Sequence, residues 1–460
     1  MNPFPRTSRI VASLALALAS LPTLAETLCL RGAIVHTVSG PSLTNSGVLI
    51  RDGRIVAVGN DALFASADRT VDLPGLHLFP GLIAPTSILG LIEVDSVRAT
   101  RDTTEVGDFT PDVPAWIAVN PESELIPVAR ANGYTHAQSI PLGGIVSGQS
   151  ALIRLDGWTI EDLTENRAAA LHLFWPSHSI DTTPKHLSGN PEKWKSPEDQ
   201  VRDREKRLKE IDEFFHQAEA YARARRAAGL GDAPSLAAEA GAGRPIPTVA
   251  TNGFTLVPAW EAMLPLLSGS QPLFLHADET AQIRAGIEWA LRRKYRPVLA
   301  GGRDAARLAP FLSSNQVPVI FEHVFTQPTR DTDPYDVHYS APARLHVAGV
   351  TVALGEGTDR FGASNIRNIP YAGAQAVAFG LSRQEAWRGL TLHPARLLGV
   401  AHRLGSIEPG KDATLIAVTG DILDVRATVQ HMWIAGRQIS LESRHTRLHE
   451  KYRNRPRPNP

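Results

Sequence analysis

Between residues 28 and 78 apolar and polar positions alternate in short runs, at 33–37, 47–50 and 54–58, interrupted by Gly, Asp and Asn. Alternation with a period of two, bounded by turn residues, predicts antiparallel strands. A second set of such runs stands near the other end, at 413–418 and 429–435, with turn signals at Pro409-Gly410 and Gly436. Either set is too small to close a core alone, so the two are expected to pair into one small β-sandwich. Between them the pattern changes: apolar runs at 133–140, 171–175, 272–276, 297–300, 317–323 and 350–354 alternate with helical segments. Strands apolar on both faces with helices between them require a parallel sheet. A stretch of roughly 300 residues of this kind favours an α/β fold closed as a (β/α)8 TIM-like barrel.

From 196 to 228 the chain is highly charged and lacks Gly and Pro after Pro197. Apolar residues recur at Val201, Leu208, Ile211, Phe215, Ala218 and Ala222, which predicts one long amphipathic helix. Such a helix could cap the barrel mouth or pack along the outside of the barrel. Residues 229–247, rich in Ala, Gly and Pro, read as a loop or linker. The basic residues Arg444, Arg447, Lys451, Arg453, Arg455 and Arg457, among three prolines, suggest a flexible solvated tail, with contact to a polyanion as the lesser alternative. At the N-terminus Arg6 and Arg9 precede an apolar run at 10–21, and Thr23 and Ala25 supply small residues before Glu26. This is the pattern of a cleaved secretory signal, so a periplasmic or secreted mature protein is expected; a retained anchor is the alternative. The resulting division is 1–25 signal, 26–79 with 403–440 composite β-sandwich, 80–402 barrel, and 441–460 basic tail.

Charge narrows the function classes. Lys plus Arg total 47, as do Asp plus Glu, so nothing draws the chain to phosphate backbones or anionic membranes, and neither nucleic acid nor, after signal cleavage, a membrane is an expected partner. A single cysteine, Cys29, excludes an internal disulfide and a thiolate metal cluster.

The run FPGLIAPTSILG at 79–90 resembles the first barrel strand of the amidohydrolase superfamily. HPARLLG at 393–399 is similar to that family's last helix, and LGSIEPGKDA at 404–413 to its return into the small β-domain, closest to the imidazolonepropionase-like branch. The resemblance implies one or two divalent metals at the C-terminal end of the barrel, lowering the pKa of a bound water and polarising the scissile carbonyl. It also implies His-x-His on the first strand, where residues i and i+2 share a face and so can share an ion. Those positions here are Thr86 and Ile88, and an isoleucine has no lone pair to give. On the same resemblance His276 is the fifth-strand ligand, the sixth-strand histidine falls near Gly301 and Gly302, and the catalytic aspartate is Asp359, with Glu356 as an alternative occupant. No lysine stands in a segment assignable to strand four, so a binuclear centre bridged by a modified lysine is not expected.

A rebuilt site remains open to the sequence. His276, Asp278, His323 and Asp359 form a mixed nitrogen and oxygen set acceptable to one zinc, manganese or iron ion. The competing reading is that His276 and His323 are hydrogen-bonded mouth histidines without metal, and in a metal-free hydrolase His276 or Asp359 would be the general base. Arg98 and Arg101, near Asp102 and Glu105, are either substrate-orienting groups or a structural salt-bridge cluster. The glycine-rich 141–150 reads as a tight loop whose amides could hold an anion. No Gly-x-Ser-x-Gly, Walker A, dinucleotide fingerprint or His-Glu-x-x-His occurs. The expected activity is hydrolysis of a non-peptide C–N amide bond, cyclic amides included, or of a small dipeptide, with a small molecule as partner. The alternative is a catalytically inactive relative that binds a small molecule or associates with an active amidohydrolase.

Overall fold

The computed structural model describes residues 27–60, 67–231, 253–359 and 361–456. The signal-like segment at 1–25 and nearly all of the loop expected at 229–247 lie outside the described residues. Five strands open the chain: β1 (Thr27–His36), β2 (Ser42–Arg51), β3 (Arg54–Asn60), β4 (Arg69–Asp72) and β5 (His77–Pro80). Eight follow: β6 (Leu82–Ser87), β7 (Tyr134–Ser139), β8 (Val146–Arg154), β9 (Thr164–Phe174), β10 (Leu273–Ala277), β11 (Pro297–Gly301), β12 (Val319–Phe321) and β13 (Val352–Leu354). Three close it: β14 (Leu415–Val418), β15 (Val429–Ile434) and β16 (Arg437–Ile439).

The opening and closing strands share one sheet in the order β16-β15-β14-β5-β1-β2-β3, with β4 along β1. Its seam is the antiparallel pair β5 and β14, where Phe79 faces Ile416 and Leu78 faces Ala417. Alternation turns Leu30, Val35, Val48, Ile50, Ile55, Leu78, Leu415 and Trp433 to one buried cluster, which neither end could enclose by itself.

The middle strands form the barrel sheet, in sequence order from β6 to β13. Their pairs are parallel except at β8, which runs antiparallel to both β7 and β9. Only residues 140–145 separate β7 from β8, too few for the dozen or more that a parallel crossover needs, so the chain must turn back as a hairpin. The barrel is nearly closed: a Cβ on Gly355, just past β13, would stand 2.7 Å from Thr86 Oγ1 on β6. At the N-terminal end of the strands Ile83, Leu152, Ala170, Phe274, Val298, Ile320 and Ala353 fill the interior. Ala395, Leu398 and Leu404 plug it from below.

The long helix is present at Pro197–Ala227, capped by Ser196, whose side chain accepts from Asp199 N–H. It lies along the outside of the barrel. Phe215 packs edge-on against Trp289, Asp212 accepts from Trp289 Nε1 at 2.7 Å, and buried Arg225 donates to Glu261 at 2.8 Å. The tail differs from the flexible segment expected over 441–460, because Arg444–Arg453 is helical. Ser443 and Thr446 cap each other reciprocally, and Arg447 pairs with Glu124 at 3.0 Å. Among the described residues no helix is long and apolar enough to cross a membrane.

Candidate active site

Side chains two apart on a strand face the same way, so the interior residues that plug the barrel determine which residues line its other end. Two positions beyond Ala170 on β9 is His172. Beyond Phe274 on β10 come His276 and then Asp278, and beyond Ile320 on β12 comes Glu322. These groups gather at the C-terminal ends of the strands. His172 Nδ1 and His276 Nε2 lie 2.9 Å apart, and the His276 ring stacks on Phe174 at 4.1 Å. His323 Nε2 donates to Asp278 Oδ1 at 2.7 Å, while its Nδ1 meets Thr326 Oγ1 at 3.1 Å. Asp278 Oδ1 also accepts the backbone N–H of Arg303 at 3.2 Å.

Burial divides the charges in this cluster. It pushes the Glu322 carboxyl up to about 7. The Thr86 hydroxyl and the His323 ring favour the anion, and the carboxylates of Asp278 and Asp359 oppose it. Glu356 is likewise pushed up to about 7 by burial, against a hydrogen bond from Asn365 and with the repulsion of Asp359 and Glu322. For Asp278 burial acts upward too, but the hydrogen bond and charge of His323, with the N–H and charge of Arg303, hold it below the usual carboxylate value. Burial lowers His276 to about 4 despite Asp278, and drives His172 well below the ordinary imidazole value, helped by His276. The cluster therefore holds the neutral imidazoles of His172 and His276 beside two carboxyls poised to exchange a proton at neutral pH, Glu356 and the more enclosed Glu322.

Glycines seat that carboxyl. A Cβ on Gly355 would meet Glu322 Cγ at 3.2 Å, and one on Gly357, at φ +88°, would meet Glu322 Oε2 at 3.0 Å. The buried polar atoms at this end without a hydrogen-bond partner among the described residues include Thr86 Oγ1, His172 Nε2, Arg303 Nε and Glu322 Oε1. Unpaired buried polar atoms are costly, and their concentration here marks a place where a ligand or water belongs.

The sequence-derived set divides under this geometry. His276, His323 and Asp278 come to the mouth, yet His276 faces His172 and His323 faces Asp278. Asp359 is exposed, its Oδ1 accepting Phe361 N–H at 2.8 Å in a turn, because the residues inserted after β13 carry it out to the rim. Among the described residues no three His, Cys, Asp or Glu converge as a cation site, so the four-residue metal set is corrected to two separate pairs and a rim carboxylate. Thr86 on β6 and Ile88 just past it add no imidazole, and among the described residues the side chains do not assemble into a metal centre. Arg101 pairs at 3.8 Å with Asp95, and Arg98 is exposed; among the described residues no hydrogen bond or ion pair joins either to the histidines or to Glu322. Residues 146–150, expected within a loop, belong to β8, and the amides of Ile145 and Val146 are taken by the Asp108 carbonyl at 2.7 and 2.9 Å rather than left for an anion. His172 and Glu322 were missed. Their signal was a polar residue within or at the end of an apolar barrel strand, alone in LHLF at 171–174 and beside His323 in VIFEH at 319–323.

Residues 331–439 match the model of the amidohydrolase family. Over 62 residues the chain is 42% identical to N-acetylglucosamine-6-phosphate deacetylase of Danio rerio, a match covering 14% of this chain and 14% of that protein. The structure of an amidohydrolase from Thermotoga maritima MSB8 superposes with a TM-score of 0.71 at 24% identity, covering 90% of this chain and 99% of that one. An adenosine deaminase from Xanthomonas campestris with bound zinc gives 0.50 at 18% identity, covering 93% and 97%. The chain thus has the amidohydrolase fold, and residues 331–439 carry that family's sequence pattern.

Proposed function

We propose that this protein is a hydrolase of the amidohydrolase family that cleaves a C–N amide bond in a small molecule, with Glu322 as its proton carrier. The observation that carries this reading is the enclosed Glu322 carboxyl, one oxygen unpartnered, beside the Asp278–His323 pair at the C-terminal end of the barrel. In an α/β barrel this is the end where chemistry is done. Its position near pH 7 supports the role, since a group that must take up and release a proton works best there.

In the proposed reaction the Glu322 anion removes a proton from water as the water oxygen bonds to the amide carbon. The carbonyl π pair moves to oxygen. The returning pair then expels the nitrogen, which takes the proton from Glu322, releasing an acid and an amine. Asp278 fixes the His323 ring, whose charge favours the Glu322 anion, and so acts as a positioning residue. Neutral His276 contributes a donor without a competing charge. No step is assigned to a metal, because the donors do not assemble around one. We also propose export: the mature exported chain would begin at Glu26, and an N-terminus at Met1 in the exported fraction would refute it.

The test is a panel of N-acyl amino acids, cyclic amides and dipeptides, assayed with the native chain and Glu322→Gln after washing with a chelator. Turnover that survives chelation and collapses in the variant supports the reading. Binding without turnover would replace it with a non-catalytic small-molecule-binding protein, and turnover indifferent to Glu322→Gln would remove that residue from the chemistry.

A further inference from the structure

Arg303 stands where β11 reaches the mouth. Gly301 and Gly302, at φ +91° and +69°, turn the chain so sharply that Gly302 N–H bonds Ala277 O at 2.9 Å and Asp304 N–H bonds Asp278 O at 2.8 Å. A Cβ on Gly301 would fall 2.7 Å from Asp278 Oδ1, so only glycine permits this approach. The turn ties Arg303 to the end of β10, where its backbone N–H also reaches Asp278 Oδ1 and its charge bears on that carboxylate.

Its guanidinium differs from its neighbours. Arg330 pairs with Asp304 at 2.5 Å and with Asp333 at 3.4 Å, and Arg307 also bonds Asp333. Arg303 has no ion pair within 4.0 Å among the described residues, and its Nε is buried without a hydrogen-bond partner. A partly buried guanidinium on an anchored backbone, with no protein partner among the described residues, offers a planar fork to whatever enters the mouth. We infer that Arg303 receives the carboxylate of the substrate, so that the amide cleaved belongs to a small molecule carrying one free carboxylate, such as an N-acyl amino acid. A dianion is disfavoured because the Asp278 carboxylate, which accepts Arg303 N–H, and the Glu322 carboxyl, on which Asp278 bears, stand at the same mouth. The fork geometry matches two coplanar oxygens, which a carboxylate supplies.

This inference rests on the hydrolase reading for its site but not for its test. N-acetyl-L-leucine and N-acetyl-L-leucinamide differ only in the charge that Arg303 would meet. Acetate release and calorimetric binding would be measured for both with the native protein, Arg303→Met and Arg303→Lys, with thermal unfolding as a check on folding. The expected result is preference for the carboxylate, falling by about 10- to 100-fold in Arg303→Met, chiefly through KM, with partial rescue in Arg303→Lys. Hydrolysis of both compounds without preference overturns the inference and leaves the hydrolase reading standing. If neither is cleaved, selective binding of the carboxylate that Arg303→Met abolishes supports the inference alone, and equal or absent binding overturns it.

Discussion

The two ends of the barrel are built from the same strands and differ by only two residues along each. At the lower end Ala170, Phe274, Ile320 and Ala353 interlock with Ala395 and Leu398 in an apolar plug. One pleat further on, the same faces present His172, His276, Glu322 and Gly355, with polar atoms left unpaired. The lower end gains stability from burial, whereas the upper end gives up stability to hold a carboxyl out of water. A fold can keep the two apart because a strand carries one facing direction from core to mouth.

Four experiments would break or sharpen that contrast. The largest effect is expected at the mouth: Glu322→Gln should lower kcat/KM by about 10²- to 10⁴-fold and abolish the limb of the pH profile that rises through about pH 7. A native profile flat between pH 6 and 8 would contradict this assignment. At the plug, Phe274→Ala should cost about 3–5 kcal/mol of unfolding free energy by denaturant titration, leaving that pH limb in place in whatever protein remains folded.

The third experiment tests the stability given up at the mouth. Burial raises the folded pKa of Glu322 from 4.5 to about 7, so the native state holds the proton more tightly than the unfolded chain does. The associated stability is complete below about pH 4.5 and lost as the pH rises through 7. After allowance for the accessible edge of the residue, Glu322→Gln should gain about 2 kcal/mol on the native protein between pH 5 and pH 8. An unchanged difference across that range would show that the carboxyl is solvated. The smallest effect is expected at the rim, where Arg101→Ala should change stability by less than about 0.5 kcal/mol, because its pair with Asp95 is loose and exposed. A tenfold rise in KM there would instead return Arg101 to substrate binding.

Much of this architecture was legible in the chain. The alternating runs at both ends, the apolar runs between them and the apolar spacing at 201–222 all correspond to elements of the structure. The direction of β8 was not legible, since periodicity is the same for a strand running either way and only the short 140–145 connection forces the reversal. His276, Asp278 and His323 were legible as polar residues at strand ends, while Glu322 was hidden beside the more conspicuous His323. The tail helix was obscured by its charge, because its anchor is Glu124, far away in sequence.

By itself the sequence determined strand and helix periodicity, the pairing of two incomplete β-segments, and the presence of Thr86 and Ile88, neither of them an imidazole, at the end of the first barrel strand. Only the tertiary structure decided which polar groups meet. His172 faces His276 across 104 positions of chain, and His323 faces Asp278 across 45. It also decided that Glu322 is enclosed, Asp359 exposed and Arg303 without a carboxylate ion pair among the described residues. The reason is that side-chain spacing is a local property of the backbone, whereas a group's solvation and partners depend on every strand packed around it.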